Sequence, residues 1–301
     1  MEPLVSAVIP TYNYGHFVAR AVESVLAQTY HPLECVVVDD GSTDDTPSVL
    51  GPYQDRIRVI RQANRGLSAA RNAGIAAARG PLLALLDADD AWKPEKIARQ
   101  VALLAQDPEV GAVGCGVELA DAAGNRRTVP VRTIPEAHPA RLRSVALREA
   151  WVEGSGSGAL IPRRVLDEVG PFDEGLRAAE DWDMWLRIAA RYRIRNVPET
   201  LVTISRHGTG TFRNAEKMQS AQLAVYGSAV ARWPVELDAI TRRRMRALIL
   251  ADAGGELAAA GHVGPALSRY LASLGTWPFQ AMRWRIAANL CRRAVREGRP
   301  A

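Results

Sequence analysis

Leu82–Trp92 reads LLALLDADDAW. Leu82 to Leu86 form an unbroken apolar run. Such a run suits a strand buried on both faces, as in a parallel α/β sheet. Asp87, Asp89 and Asp90 follow at its C-terminal end, the edge where open α/β sheets bind ligands. Three crowded carboxylates repel one another unless a cation or solvent compensates them. A divalent metal carrying a diphosphate meets that need, because Mg²⁺ and similar ions are shared between one or two carboxylates and phosphates. The same letters also suit an acidic turn that caps the next helix, with Asp90 near its start and Pro94 in its first turn.

Upstream, the chain alternates strand and helix. Leu4–Pro10 is expected as the first strand and Thr11–Gly15 (TYNYG) as a turn. From His16 to Gln28, Phe17, Val18, Ala21, Val22, Val25 and Leu26 recur at helical spacing. Leu33–Val38 is a second strand, Thr43–Leu50 a helix, Ile57–Ile60 a third strand and Ser68–Ala78 a helix of small residues. This alternation, continued by Leu82–Leu86, argues for a parallel sheet with right-handed crossovers. Downstream, a helix is expected at Pro94–Gln106, with Ile97, Val101 and Leu104 on one face. Strands follow at Val110–Leu119 and, after a turn at Asp121–Asn125, at Arg126–Val131. Gly154–Gly158 (GSGSG) reads as a flexible segment before a short strand at Ala159–Ile161. A helix at Asp181–Arg191 and strands at Ile194–Val197 and Leu201–Ile204 come next. From Asn214 the chain turns Ala- and Arg-rich, with helices expected at Ala215–Arg232, Val235–Ala260, Val263–Leu274 and Phe279–Arg296.

The 301 residues are 48% hydrophobic and 24% charged, an ordinary globular composition that excludes a disordered chain. A net charge of +5 fits anionic ligands or surfaces as well as plain solubility. Cys35, Cys115 and Cys291 are too scattered for a disulfide framework or a zinc site. No apolar stretch is long enough to span a membrane, and the start lacks the pattern of a signal peptide, so a cytoplasmic location is expected.

Val36–Thr46, VVVDDGSTDDT, carries the most specific local signal. Asp39 and Asp40 stand where a strand end meets a helix start. An Asp there can accept a hydrogen bond from the imide N–H of a uracil-type base. Gly41 permits a tight turn, and Ser42 or Thr43 can cap the helix. A simple capped turn explains one of the two acids but leaves the other without a task.

VSAVIPTYN at Val5–Asn13, the DDGSTDDT run, NRGLSAARNAG at Asn64–Gly74, DADD, and Glu180-Asp181 stand here in the order they have in family-2 inverting glycosyltransferases. From Leu4 to His207 the chain resembles that family. The resemblance implies a GT-A, Rossmann-like α/β fold, with a mostly parallel sheet flanked by helices and an α-helical C-terminal region after it. Residues 1–212 would form the glycosyltransferase domain, 1–106 its nucleotide-binding half and 107–212 its acceptor-side half, and residues 213–301 the helical region. It implies that Pro10, Thr11, Tyr12, Asp39, Asp40, Arg71, Asp87 and Ala88 face the nucleotide. Asp89 would ligate a divalent metal, Mn²⁺ or Mg²⁺, with His207 of SRHGTG (Ser205–Gly210) as a second candidate ligand. Asp181 matches the catalytic base, with Asp183 as its nearest rival, and Glu180 and Trp182 are placed on the sugar or acceptor side. A base of this kind takes the proton of the attacking acceptor hydroxyl.

The expected reaction moves a sugar from a nucleotide-sugar donor, UDP favoured, to a glycan or lipid-linked acceptor or a small molecule, with no nucleic acid involved. Specificity would lie in the loops Arg132–Gly158 and Phe172–Ala179. No membrane span is read and no Gln-x-x-Arg-Trp motif of processive polymer synthases is assigned, so addition of one sugar at a time is expected. A binding protein of the same fold would keep the nucleotide acids and lose the base. A sugar nucleotidyltransferase would carry a Gly-rich basic loop after the first strand, where this chain has Pro10–Asn13. The tail Thr276–Ala301 sets Arg283, Arg285, Arg292, Arg293, Arg296 and Arg299 against the single acid Glu297, with Trp277, Phe279, Met282 and Trp284 interleaved. That pattern suits either peripheral contact with the inner face of an anionic membrane or a packing helix with a solvated basic face.

Overall fold

Strands buried on both faces form where the sequence is apolar without alternation. The computed structural model describes residues 2–154, 156–207 and 215–297, with side chains as far as Arg292. In it β1 (Val5–Thr11) is buried throughout, as is the inner part of β2 (Leu33–Asp39). β3 (Arg58–Arg61) lies parallel beside β2, and β4 (Leu82–Leu85) parallel beside β1. Thr11 stands opposite Asp39, and Val8 opposite both Val36 and Leu85. The C-terminal ends of these strands therefore share one edge, and that register delivers the DDGS and DADD turns to the same side.

Helices cover this half. α1 (Gly15–Leu26) buries Val18, Ala21, Val22 and Val25, the spacing expected of one helical face. α2 (Thr46–Leu50) is shorter than expected, because Asp44 holds the N–H and hydroxyl of Thr46 in a turn first. α3 (Leu67–Ala77) approaches β1 so closely that a Cβ on Gly74 would lie 2.3 Å from Val8 Cγ1. The small residues of this helix allow that contact.

Past β4 the sheet becomes mixed. β5 (Ala91–Trp92) leads into α4 (Lys96–Gln106), and β6 (Val110–Asp121) pairs antiparallel with β7 (Arg126–Val129). α5 (Ala140–Ala146) was not expected. It is short, and its buried Arg141 and Ser144 break the apolar pattern. β8 (Leu160–Pro162) runs antiparallel to both β4 and β6. α6 (Arg163–Val169) and α7 (Glu180–Arg191) precede β9 (Arg193–Arg206), which is parallel to β6 and antiparallel to β5. The described strands form one sheet in the order β3-β2-β1-β4-β8-β6-β9-β5, with β7 on β6. The two strands expected after residue 193 are one strand. Its register shifts where Val197 and Thr200 face Cys115 and Gly116, around Pro198, which cannot donate to a ladder.

The chain divides into two compact units, Met1–Gly208 and Thr209–Ala301. In the second, α8 (Ala215–Arg232), α9 (Ala239–Ala259), α10 (Val263–Thr276) and α11 (Ala281–Glu297) follow in turn. Asp238 caps α9 by accepting from Thr241 N at 2.7 Å. Ala251, Val263, Ala266, Tyr270, Leu274, Ala287 and Leu290 share its core. No described helix is long and apolar enough to cross a membrane. Ser155, residues 208–214 (with the end of SRHGTG and the 212/213 boundary), the side chains of Arg293 and Arg296, and Arg299 lie outside the described residues.

Candidate active site

The turn after β2 is built by its own side chains. Asp40 N donates to Thr11 O at 2.9 Å, which joins the ends of β1 and β2. Asn13, at φ 55°, donates its N–H to Ser42 Oγ at 2.9 Å and accepts from Thr43 N at 2.8 Å. Gly41 has φ +82°, and a Cβ there would press on Asn64 N at 2.9 Å, so the turn needs glycine. Asp39 is spent on this turn. Its Oδ1 accepts from Ser42 N at 2.8 Å and its Oδ2 stands 3.5 Å from Arg61. Asp40 is different. Its carboxylate accepts from Gln62 Nε2 (2.7 Å), Arg65 N (3.0 Å) and Gly66 N (2.8 Å). An ionised carboxylate has about four acceptor positions, so one remains. Pro10 and Thr11 are buried, and Tyr12 is 43% exposed beside them.

The acid edge after β4 is organised by Arg71 of α3, which is fully buried. Its guanidinium donates to Asp87 Oδ1 at 2.7 Å and to Glu180 Oε1 at 2.6 Å. Phe172 lies 5.3 Å from it, and a Cβ on Gly156 would come within 3.0 Å of Nη2. Burial alone would lower the Arg71 pKa, but the Asp87 and Glu180 carboxylates override it and raise the pKa above its ordinary value. The GSGSG segment is accordingly part of the site. Ser157 is buried, its Oγ bonds Asp90 Oδ2 at 2.5 Å, and it accepts from Asp87 N at 3.0 Å. Asp90 also accepts from Ser205 N at 3.0 Å, tying the end of β9 to the DADD turn.

That tie brings His207 to Asp89, with Nε2 and Oδ2 2.8 Å apart. Phe17 and Tyr14 flank the imidazole at 4.6 and 5.7 Å between ring centres. Arg20 donates to the carbonyl of Asp89. Ala88, between the two acids, is buried. Burial and then Asp87 push the Asp89 carboxyl up. Burial with Asp89 and Asp87 pushes Asp90 well above the ordinary range. The Tyr14 phenol is raised to about 12, first by burial and then by the charges of Asp89, Asp87 and Asp90. After burial, the second cause of each shift is the charge of neighbouring carboxylates, which a cation would relieve. Asp89 and His207 place a carboxylate and an imidazole side by side, two groups that would hold a divalent cation when a ligand supplies the remaining oxygens. Among the described residues no group of three or more His, Cys, Asp or Glu could hold a metal alone.

At the head of α7, Ala179 takes a left-handed conformation at φ 57° and Glu180 turns inward to Arg71. Asp181 Oδ1 accepts from Trp182 N at 2.7 Å. Asp183 is buried against Arg187 at 2.8 Å, which engages it structurally.

A family model described as glycosyl transferase family 2 matches residues 6–170. The chain belongs to this family. It is a glycosyltransferase. An uncharacterized glycosyltransferase of Nostoc sp. is 36% identical over 233 residues, covering 73% of this chain and 70% of that protein. Succinoglycan biosynthesis protein ExoO of Rhizobium meliloti is 36% identical over 204 residues, with 60% of this chain matching 54% of its length. The chain thus spans about half of that relative. Two solved structures share the fold. The mannosyltransferase PcManGT from Pyrobaculum calidifontis, in complex with GDP-Man and Mn²⁺, has a TM-score of 0.61 at 24% identity, covering 98% of this chain and 87% of that one. S. aureus TarS 1-349, in complex with UDP-GlcNAc, has a TM-score of 0.64 at 17% identity, covering 90% and 81%.

Within this family-2 fold three of the expected site residues are engaged by the protein itself. Arg71 was expected to face the nucleotide, yet it is buried and both ends of its guanidinium are held by carboxylates. Glu180 is buried and its Oε1 accepts from Arg71 at 2.6 Å. Trp182 is 2% exposed with its indole N–H on Val145 O at 3.2 Å, so its ring presents no open face to an acceptor. Asp90, Ser157 and Tyr14 were not singled out as site residues. The fourth letter of DADD and the second serine of GSGSG were the available signals. The Gln-x-x-Arg-Trp spacing does occur, at Gln280, Arg283 and Trp284. Gln280 donates to Trp277 O, Arg283 to Ala247 O at 3.3 Å, and Trp284 to Pro278 O at 2.9 Å. These three residues knit the helical unit together.

Proposed function

We propose that this family-2 glycosyltransferase moves one sugar at a time, with inversion, from a nucleotide-diphospho-sugar to a hydroxyl of a glycan, glycolipid or small molecule. The observation that carries the reading is the shared cation of Arg71. Through it the acids that face the donor, Asp87 and its neighbours, and the head of α7 that presents Asp181 are fixed to one buried point. The fourth acceptor position of Asp40 suits the imide N–H of uracil and favours a UDP-sugar, and a thymidine nucleotide would satisfy the same contact. Pro10, Thr11 and Tyr12 border that base, with Tyr12 exposed beside it.

Asp89 and His207 would hold a divalent metal, Mn²⁺ or Mg²⁺, which when bound neutralises charge on the departing diphosphate. Asp87 is kept from that ion by Arg71 and is left to the ribose or a metal-bound water. Asp181 takes the proton of the acceptor hydroxyl as its oxygen attacks the anomeric carbon opposite the diphosphate. One of its oxygens also accepts from Trp182 N. Gln280 and Arg283 are engaged within the helical unit and no described helix spans a membrane, which supports single transfer over processive synthesis.

The test is Asp181→Asn. It keeps shape and hydrogen bonding but removes the base. Transfer from a UDP-sugar should fall by about 10²-fold or more, while UDP binding by calorimetry stays within a few fold. Transfer at the wild-type rate in this variant would remove Asp181 from the mechanism.

A further inference from the structure

The helical unit contains an open cleft of about 730 Å³ lined by Arg242, Arg243 and Arg246 of α9 and by Trp277, Pro278 and Phe279. Spacings of three and four place these arginines on one helix face. None of the three side chains forms an ion pair or hydrogen bond with a described residue, although eight other arginines among the described residues stand within 3.5 Å of a carboxylate. Like charges at this spacing destabilise a helix unless an anion compensates them. Arg is also the side chain whose fork best matches a phosphate.

The remainder of the lining carries aromatic side chains. Trp277 and Phe279 meet edge to face at 5.3 Å between ring centres. Phe279 is 81% exposed and Met282 is 70% exposed. Large apolar side chains this open, next to unpaired cations, match an interface that is anionic at the surface and apolar just beneath it. A free phosphate would use the arginines and leave Phe279 and Met282 without a purpose. A second copy of this chain would bring its own arginines to the cleft, against charge complementarity.

We propose that this cleft is a lipid-headgroup site, in which Arg242, Arg243 and Arg246 take the phosphate of an anionic phospholipid while Phe279 and Met282 enter the acyl boundary. The site attaches the helical unit to an anionic membrane surface. It stands independently of the donor and acceptor assigned to the catalytic unit.

The experiment is co-sedimentation of the full chain with vesicles of phosphatidylcholine alone and of phosphatidylcholine mixed with phosphatidylglycerol. The protein should partition onto the anionic vesicles only, and less so as salt screens the charges. The triple variant R242Q/R243Q/R246Q should lose about tenfold or more of that partitioning. F279S/M282S should also lose it, while the residual binding keeps its salt dependence. Both variants change exposed or half-buried side chains, and unchanged thermal melting will show that they fold. Equal binding to neutral vesicles, no binding by the native chain, or undiminished binding by either folded variant would overturn the proposal. So would a thermal shift by inorganic phosphate that the triple variant abolishes without any vesicle binding, or a dimer in sedimentation that F279S/M282S dissociates.

Discussion

Arg71 shows how one side chain can hold a site together. Its guanidinium is closed in by Asp87, Glu180, Phe172 and Gly156, and its charge is the counterpart of two carboxylates. Removing one member of a buried ionic group leaves the others uncompensated, at a cost of about 3–5 kcal/mol. Arg71→Gln should therefore lower the denaturant-derived stability by that order. Glu180→Gln should cost less, because Arg71 retains Asp87. An Arg71→Gln chain as stable as the native one would mean that the ion triad holds nothing in place. This hub was half legible in the sequence. The NRGLSAARNAG segment marked Arg71, but its partner Glu180 lies 109 residues away. Neither local spacing nor composition carries that pairing.

At the level of elements, α4 carries the least expected feature. Its apolar face was read from Ile97, Val101 and Leu104, yet Lys96 and Gln100 are also fully buried. Lys96 Nζ donates to Gln100 Oε1 at 2.9 Å and lies 4.0 Å from the Trp92 ring centre, while Gln100 donates to Val113 O and Gly158 O. Burial lowers the Lys96 pKa to about 8. The sign follows directly. Between about 8 and the ordinary lysine value the unfolded chain holds a proton that the folded chain has released, so this lysine makes stability rise with pH across that window. Below the window its buried charge is a burden of about 3 kcal/mol. Lys96→Met should raise stability at neutral pH and remove this rise from the difference between the two pH profiles, measured by urea denaturation. Parallel profiles would show that Lys96 does not titrate inside the fold. A lysine in an amphipathic helix reads as solvated, so nothing local announced it. By contrast the β2 and β4 edges were legible, because unbroken apolar runs ending in acids have few other uses in a soluble α/β chain.

Across the molecule, the order of strand ends sets what the chemistry can reach. The C-terminal ends of β1, β2 and β4 lie on one edge, and Asp90 ties β9, with His207 behind it, to the same place. The parallel half was foreseeable from its regular alternation. The mixed half was not, because β8, β6 and β9 are joined by irregular segments whose pairing depends on distant residues. We propose that this edge holds a nucleotide diphosphate through Asp40 on the base side and through a metal at Asp89 on the phosphate side. The most direct measurement is the thermal stability of the native chain and of Asp89→Ala with UDP, with Mn²⁺ or with a chelator. A ligand confined to the folded state adds about 2.7 kcal/mol at a hundredfold excess over its dissociation constant. A shift of that order is expected for the native chain with UDP and Mn²⁺, with its loss on adding chelator and its loss in Asp89→Ala. A UDP shift that persists with chelator and in Asp89→Ala, or no shift under any of these conditions, would contradict it.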